Sequence, residues 1–333
     1  MNKVNVLLSG GVGSRLWPLS RKSRPKQYLP MFEGKTLFQK TISRNQSFCD
    51  SLLVVGNKDN FELSRKDLAN FPGLDFSEII EACPRNTAAA IAFAAFTVNP
   101  DDVLFVTPSD HLIVGDERYS QSVREAMNLA EEGHIVTFGL KPSHPETGFG
   151  YIEHQGHEVL SFREKPDADT AALFLKKGNF LWNSGMFCFQ AGVYLSELEK
   201  LAPKVFTASK KAFDNMKDGF LDESLSMDIP SISVDYAVME KTDKIKVVAS
   251  GFDWSDMGSF ASIFEYLRGQ GYPVDKAGNL FIGDKDMHVE FVGVSDSILV
   301  HTEDAILVVH KDAVQGVKQV FERLEKDNPD LVE

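Results

Sequence analysis

The first 140 residues alternate between short apolar runs and longer stretches in which apolar residues recur at helical spacing. The apolar runs predict four strands, at Val4–Leu8, Leu52–Val55, Val103–Thr107 and Ile135–Phe138. Three helices are predicted between them, at Thr36–Ser47, Thr87–Thr97 and Tyr119–Glu132. This alternation predicts an α/β fold with a Rossmann-like, mostly parallel sheet flanked by helices. Because ligands bind beyond the carboxyl ends of strands in such sheets, the residues that follow each strand are the first candidates for a site.

The pattern changes after residue 141. Turn-forming residues come first, and then a helix over Ala168–Lys177, a strand over Leu181–Phe189 and a mainly helical region over 191–245. A glycine-rich break at 269–278 separates this part from short apolar runs between Asn279 and Lys311, which a last helix closes. We therefore expect two units, a large α/β domain over 1–268 and a small β-helix-like module over 279–333.

A glycine-rich turn follows the first predicted strand and coincides with local positive charge. Glycines 10, 11 and 13 allow the backbone N–H groups to approach an anion closely, and Arg15 and Lys26 bring two cations nearby. The first 32 residues hold six basic residues and no acidic one, although the whole chain has a formal net charge of −13. A basic island in an acidic chain indicates a small polyanionic ligand rather than a nucleic-acid surface.

Other phosphate-binding classes fit this turn badly. This turn does not end in the Gly-Lys-Ser/Thr of a P-loop, and Pro18 and Pro25 prevent the helix that a dinucleotide-binding fingerprint requires. No apolar run is long enough to cross a bilayer, so no membrane role is expected. The three cysteines have no metal-ligand spacing and are expected to be reduced thiols, which favours the cytoplasm.

The segments LLSGGVGSRLWPLS (residues 7–20) and PKQY (residues 25–28) resemble the signature of the sugar-1-phosphate nucleotidyltransferase family. The Trp-Pro-Leu-Ser and Lys-Gln elements resemble in particular its mannose-1-phosphate guanylyltransferase branch. The resemblance extends to about residue 260 and is weaker beyond it. It implies Mg²⁺-dependent transfer of GMP from GTP to α-D-mannose 1-phosphate, by in-line attack on the α-phosphorus, with GDP-mannose and pyrophosphate as products.

Such a reaction needs no strong base, because its nucleophile is already an anion, but two highly negative reactants must be brought together. The resemblance implies that Arg15 contacts the β- and γ-phosphates and that Lys26 lies near the α-phosphoryl group. Asp110 is the third expected catalytic residue. The remaining nucleotide contacts are expected from residues of the opening loop and from one residue after the third strand: Leu8, Gly10, Gly11, Gly13, Ser14 and Ser109.

Asp110 follows an apolar strand and is the first candidate ligand for Mg²⁺, which prefers carboxylate oxygens together with phosphate and water. The second candidate is Asp256, in a segment that resembles the family's Trp-x-Asp-x-Gly motif, with Asp253 as a neighbouring competitor. The alternative for Asp110 is a turn or cap residue, a role that Asp often fills.

Arg85-Asn86-Thr87 precedes an alanine-rich predicted helix and matches the guanylyltransferase-like variant of the base-binding motif. The alternative is a capped core helix, which the following alanines support in part. Sugar contacts are expected from three later segments that resemble family motifs, and the residues concerned are Gly150, Tyr151, Glu164, Lys165 and Asn183. Tyr151 fits a core position as well as a pocket wall.

Several alternatives remain open at this stage. The same chemistry could act on a manno-heptose or glucose 1-phosphate or use another base, and a non-catalytic regulatory homologue is a distant possibility. That last interpretation is disfavoured because Arg15, Lys26 and Asp110 are all present. We also expect a homodimer formed through the C-terminal β module, whose apolar runs suit an interface.

Overall fold

The computed structural model describes all 333 residues, and a nine-stranded sheet with helices on its faces dominates the fold. The strands are β1 Lys3–Leu8, β2 Ser51–Asn57, β3 Phe76–Glu81, β4 Val103–Pro108, β5 Leu112–Val114, β6 Ile135–Leu140, β7 Tyr151–Gln155, β8 Glu158–Arg163, β9 Phe180–Gln190, β10 Ile245–Ser250, β11 Asp253–Ser255, β12 Leu280–Ile282, β13 Ser297–His301 and β14 Ile306–His310. The helices are α1 Leu37–Asn45, α2 Phe61–Leu68, α3 Asn86–Thr97, α4 Asp116–Glu131, α5 Ala168–Lys177, α6 Ala191–Leu201, α7 Pro203–Asp214, α8 Glu223–Met227, α9 Phe260–Gly269 and α10 Val317–Asp327.

The large sheet has the order β3-β2-β1-β4-β9-β6-β10-β8-β7. Strands β3, β2, β1 and β4 are parallel to one another, as are β6 and β10, so the predicted α/β class is confirmed. The sheet is nevertheless mixed, because the long β9 is antiparallel to both β4 and β6. The alternation of strands and helices did not predict the antiparallel direction of β9. This strand follows the β7–β8 hairpin and α5 in the chain, and it is not connected to its neighbours by a simple βαβ crossover.

Besides β10, which follows the region expected to be mainly helical, two parts of the sheet were not predicted as strands. β3 lies at the sheet edge, and its first residues Phe76 and Ser77 are exposed, so only its second half is apolar and buried. Strands β7 and β8 pair as an antiparallel hairpin in the region that the sequence analysis described only as turns. Both errors have one cause, because an edge or half-exposed strand lacks the continuous apolar run that marks a buried one.

Helix α3 fixes the position of the site beside it. Its residues Ala88 to Ala95 are all buried, and it packs against β1, β2, β3 and the helices α6 and α7. A helix that is apolar on every side is stable only when it is enclosed in this way. Its first residue, Asn86, therefore lies at a fixed place near the carboxyl ends of the parallel strands.

The C-terminal strands form a separate three-stranded sheet, in which β12 is parallel to β13 and β13 is antiparallel to β14. This module packs against the opening loop in one shared apolar core, where Leu16 and Trp17 meet Val317 and Phe321. The Trp17 indole N–H also donates to the carbonyl of Leu331, at 2.7 Å. Residues near the C-terminus therefore stabilise the loop that precedes Lys26. None of the helices is long and apolar enough to span a membrane.

Candidate active site

Two neighbouring cavities open where β1 and β4 end. The first has a volume of about 400 Å³ and is lined among others by Leu8, Gly10, Glu81, Asn86, Thr87 and Asp235; we call it the Glu81 cavity. The second measures about 530 Å³ and is lined among others by Gly13, Ser14, Arg15, Lys26, Gln315 and Lys318; we call it the Arg15 cavity. Gly11 and Asp110 line both, so one elongated ligand can extend from one cavity into the other.

The opening loop is folded tightly against Lys26. Gly13 has a φ of 77°, and a Cβ placed on it would lie 2.6 Å from the Cβ of Lys26, so only glycine fits here. The Lys26 backbone N–H donates to the carbonyl of Val12, and the Ser20 hydroxyl donates to the carbonyl of Gly13. The glycines therefore serve to bring the loop backbone and the Lys26 side chain to the same place.

Lys26 is a buried cation that contacts the carboxylate of Asp110 and the backbone carbonyl of Asp256. Its ammonium nitrogen lies 2.8 Å from Oδ2 of Asp110 and donates to the backbone carbonyl of Asp256 at 2.6 Å, while only 7% of the side chain is exposed. Burial alone would raise the pKa of Asp110, but the charges of Lys26 and His111 outweigh it and hold that pKa below its ordinary value. Asp110 is therefore ionised at neutral pH.

The side chain of Arg15 is more exposed than that of Lys26 and is held less tightly by its neighbours. Its side chain is 41% exposed in the Arg15 cavity, and its nearest acidic partner is Oδ2 of Asp256 at 4.0 Å. At this distance and exposure the pair contributes little stability. The guanidinium can consequently turn toward an anion in the cavity with little loss.

The two carboxylates expected to bind a metal ion, those of Asp110 and Asp256, both lie close to the basic residues of the opening loop. Asp110 lines both cavities, and Oδ2 of Asp256 faces Arg15 while its Oδ1 accepts the Gly258 N–H. Neither Asp253 nor Asp256 lines either cavity, but Asp256 lies 4.0 Å from Arg15, which does, and this favours Asp256 over its competitor. No group of three or more metal-ligating side chains occurs, so phosphate oxygens and water would supply the remaining ligands of Mg²⁺.

Only part of the segment expected to bind the base lines a cavity. Asn86, with a φ of 71°, and Thr87 line the Glu81 cavity, where the Thr87 hydroxyl oxygen accepts the Val234 N–H. The Arg85 guanidinium instead donates to the carbonyl of Ile229 at 2.7 Å and lies outside both cavities. Ser109 is also outside them, and its buried hydroxyl has no partner.

The residues expected to bind a sugar gather beside the Glu81 cavity. The Asn183 amide donates to Asp235, which lines that cavity, and accepts from the Thr137 hydroxyl. Burial, followed by the charge of Glu164, raises the pKa of Asp235 to about 6.

The remaining expected sugar residues differ in their surroundings. Gly150 approaches Glu164 so closely that a Cβ would lie 2.6 Å from its Oε2, and Lys165 pairs with Glu164 at 3.0 Å. Tyr151 is completely buried in the core, and its hydroxyl donates to the carbonyl of Glu146. Its side chain therefore has no surface in either cavity.

The cavity-lining residues that the sequence analysis did not name as site residues include Glu81, Asp235, Gln315 and Lys318. Glu81 ends the unpredicted strand β3, directly after two buried isoleucines, and that position is the signal that could have found it. Asp235 begins a π-helical turn, a local irregularity that often accompanies functional sites. The last two reach the site only through the docking of the C-terminal module, which no local pattern indicates.

Two family models match the chain. The nucleotidyl transferase model matches residues 4–270, and the MannoseP isomerase/GMP-like beta-helix domain matches residues 273–324. Among curated proteins, mannose-1-phosphate guanylyltransferase RfbM of Salmonella typhimurium is 38% identical, over 98% of this chain and 74% of its own length. The mannose-1-phosphate guanylyltransferase of Escherichia coli K12 is also 38% identical, over 97% of this chain and 73% of its own length.

Solved structures show the same likeness. A crystal structure from Thermus thermophilus, named mannose-1-phosphate geranyltransferase, is 30% identical with a TM-score of 0.83 and covers 98% of this chain and all of that one. A crystal structure named mannose-6-phosphate isomerase, from Helicobacter pylori, is 37% identical with a TM-score of 0.71 and covers 77% of this chain and all of that one.

Proposed function

Since the chain belongs to the nucleotidyl transferase family, and within it to the mannose-1-phosphate guanylyltransferases, we propose that it makes GDP-mannose from GTP and α-D-mannose 1-phosphate. The single observation that carries the proposal is the position of Lys26. Its ammonium group lies at the junction of the two cavities, against the carboxylate that lines both. A cation at that junction would face the α-phosphoryl group of a nucleotide that extends across them.

In this mechanism the chain binds, orients and neutralises, and it moves no proton. Lys26 would stabilise the negative charge that builds up on the α-phosphoryl oxygens, and Arg15 would contact the β- and γ-phosphates in the wider cavity. The sugar phosphate oxygen attacks the α-phosphorus in line, the bond to the β-phosphate oxygen breaks, and pyrophosphate leaves. Positioning and charge neutralisation are sufficient because the nucleophile is already ionised.

Asp110 and Asp256 are the residues that would hold Mg²⁺. Asp110 lines the Arg15 cavity, and the carboxylate of Asp256 faces Arg15. Carboxylate oxygens are hard donors of the kind that Mg²⁺ prefers. When bound, Mg²⁺ supplies further neutralisation of the phosphate charge. Asn183, Glu164 and Gly150 would bind the mannose beside Asp235, which the Asn183 amide contacts.

The proposal is tested by measuring pyrophosphate release on a grid of substrates. Four nucleoside triphosphates are combined with the 1-phosphates of mannose, glucose, N-acetylglucosamine and a manno-heptose, in the presence of Mg²⁺. We expect one strong signal, from GTP with mannose 1-phosphate. A stronger signal elsewhere would correct the sugar or the base, and no signal from folded protein would contradict the proposed reaction and favour a regulatory homologue.

We further propose that the protein is a cytoplasmic homodimer with a catalytic domain over residues 1–268. The cytoplasm is supported by three free cysteines, Cys49, Cys83 and Cys188, none of which forms a disulfide. The dimer is supported by β14, an edge strand on which Ile306 and Val308 are 63% and 61% exposed. An edge strand with an outward apolar row is suited to pairing with a second copy.

A further inference from the structure

His111 lies between a tryptophan and the first expected metal ligand, and the mechanism gives it no role. Its side chain is only 13% exposed, and its Nδ1 accepts the indole N–H of Trp254 at 3.2 Å. Its other ring nitrogen, Nε2, lies 3.6 Å from Oδ1 of Asp110. The imidazole therefore connects Trp254 to the carboxylate that lines both cavities.

The two-stranded sheet of β5 and β11 explains why these residues meet. The strands are antiparallel, and Leu112 lies opposite Ser255. Asp110 comes two positions before Leu112 in the chain, and Asp256 directly follows Ser255. Both expected Mg²⁺ ligands therefore leave the same end of this small sheet. Trp254, inside β11, is placed to hold the residue that lies between Asp110 and β5.

The contact with Trp254 determines where the imidazole proton lies. An indole nitrogen can only donate, so Nδ1 of His111 must present its lone pair to Trp254. A neutral imidazole has a single N–H, which is then on Nε2, the nitrogen beside Oδ1 of Asp110. With the proton on the other nitrogen, a lone pair of the ring would face the negative oxygen and repel it.

The carboxylate of Asp110 is thereby attracted at both of its oxygens. Lys26 lies 2.8 Å from Oδ2, and the Nε2–H of His111 presents its positive end to Oδ1. A carboxylate oxygen has two lone pairs, so each oxygen keeps one for a metal ion. Groups that orient a ligating carboxylate in this way strengthen its binding of the ion.

We propose that His111 is a positioning residue, whose proton Trp254 fixes on Nε2 and which orients the Asp110 carboxylate for Mg²⁺. The inference rests on the proposed function, since it concerns the metal site of that reaction. His111 itself transfers no proton and touches no substrate in this role.

NMR of protein that contains ¹⁵N-labelled histidine tests the position of the proton. In wild type at neutral pH, without metal or nucleotide, we expect His111 to show an unprotonated Nδ1 and a protonated Nε2. The variant His111→Gln removes these signals and so identifies them among the eight histidines. A wild-type ring with its proton on Nδ1, or exchanging between the two nitrogens, would overturn the inference.

The variant Trp254→Phe tests the consequence, because it keeps an aromatic side chain and removes the N–H donor. The readout is the gain in GTP affinity that Mg²⁺ produces, measured by calorimetric titration without sugar phosphate. Since binding linkage is reciprocal, weaker binding of Mg²⁺ lowers this gain by the same factor, and we expect a loss of about tenfold. The affinity for GTP without Mg²⁺ should not change, whereas a general structural defect would lower both. A wild-type protein in which Mg²⁺ produces no gain would overturn the inference.

Trp182→Phe is the matched control. The rings of Trp182 and Trp254 both pack against Phe149, at 5.3 and 5.1 Å, but the buried indole N–H of Trp182 has no hydrogen-bond partner. The same change in size, without loss of a hydrogen bond, should leave the Mg²⁺ gain unaltered. An unaltered gain in Trp254→Phe, or an equal loss in Trp182→Phe, would overturn the proposal.

Two substitutions of His111 separate a donor from mere bulk. The amide of His111→Gln can still donate near the position of Nε2, so the Mg²⁺ gain should stay within about threefold of wild type. His111→Leu fills similar space without a donor and should lose about tenfold. Equal gains in these two variants, in protein whose thermal unfolding shows it to be folded, would contradict the role.

The outcome can be separated from that of the proposed function. A Mg²⁺ gain that depends on Trp254, without pyrophosphate release on the substrate grid, would support the role of His111 and contradict the proposed reaction. Pyrophosphate release on the grid, with a Mg²⁺ gain that is unaltered in Trp254→Phe, would support the transferase and contradict the role of His111.

Discussion

Lys26 is the cation that the proposed mechanism places at the α-phosphoryl group. Only 7% of its side chain is exposed, and its ammonium group contacts both Asp110 and the Asp256 carbonyl. An ammonium group that is already held in place at a largely buried site stabilises the negative charge of the transition state without any rearrangement of its surroundings. The sequence identified Arg15, Lys26 and Asp110 as candidates, and the structure brings all three to one cavity.

Lys26→Ala should lower kcat about 10²- to 10³-fold, because a preorganised donor to the transition state is lost. The measurement is steady-state pyrophosphate release. Lys22→Ala is the matched control, since Lys22 lies in the same loop but pairs with Glu325 and Glu333 at the surface. Near-normal turnover of Lys26→Ala would show that the assignment is wrong.

The variant Gly13→Ala tests whether the close approach of Gly13 to Lys26 is needed to position the Lys26 side chain. The new Cβ would collide with the Lys26 Cβ, and a displacement of about 1 Å can reduce turnover on the order of 10²-fold. Gly34→Ala is the control, because Gly34 has nearly the same φ of 76° but has open space around it. Left-handed strain should cost each variant about 1 kcal/mol of stability, measured by urea unfolding, and Gly13→Ala should lose more because of its collision with Lys26. Equal activity in the two variants would contradict the prediction.

Glu81 gives the stability of the protein a pH dependence of known sign. Burial raises its pKa from 4.5 to about 7, partly opposed by the Arg85 backbone N–H, so the folded state prefers the protonated form. Its contribution to stability is therefore complete below about pH 4.5 and is lost as the pH rises to about 7. Asp110, His111 and Asp235 face the same cavity.

Urea unfolding of wild type and Glu81→Gln at pH 5 and pH 8 measures this effect. The free energy of unfolding of the variant should gain up to about 3 kcal/mol on that of the wild type between these pH values. The other acidic groups of the cavity are present in both proteins and cancel in the comparison. Parallel pH profiles would contradict the raised pKa.

At the scale of elements, the sequence predicted the strands whose ends build the loop and missed the one that carries Glu81. Strands β1, β2, β4 and β6 are buried apolar runs, and their prediction is confirmed to within a few residues. β3 begins with two exposed residues, Phe76 and Ser77, because it is a sheet edge, and the cavity position of Glu81 could not be predicted without recognising this strand. The direction of β9 depends on tertiary pairing and is absent from any local pattern.

Helix α10 brings a further cation to the Arg15 cavity. Lys318 lines that cavity, and its ion pair with Glu322 is an exposed one that costs little to open. Lys318→Gln should raise the KM for pyrophosphate in the reverse reaction about five- to tenfold, with the KM for GDP-mannose unchanged. Lys326→Gln on the same helix is the control, and equal effects of the two substitutions would contradict a specific role.

At the scale of the molecule, the C-terminal module contributes Gln315 and Lys318 to the lining of the Arg15 cavity. It shares an apolar core with the opening loop and with α9, and its last residues bind the loop backbone, with the Lys22 N–H donating to the Val332 carbonyl. The sequence predicted a β module after residue 279 but not its contact with the loop. Contacts between residues about 300 positions apart leave no trace in a local pattern, which is why Gln315 and Lys318 were missed.

The exposed face of β14 predicts the oligomeric state. We expect a dimer by light scattering at micromolar concentration, and Val308→Lys should convert it to a monomer, because a charge on the outward apolar row opposes pairing. Val292→Lys places the same charge on an 88% exposed valine of the same module, away from the strand, and should leave the dimer intact. A monomeric wild type, or a dimeric Val308→Lys, would contradict this interface.

The proposed reaction can be tested by the initial rate of pyrophosphate release from GTP and Mg²⁺, with and without mannose 1-phosphate. We predict rapid release that requires the sugar phosphate and yields an equal amount of GDP-mannose. Release that does not depend on mannose 1-phosphate, or no release from folded protein, would contradict it.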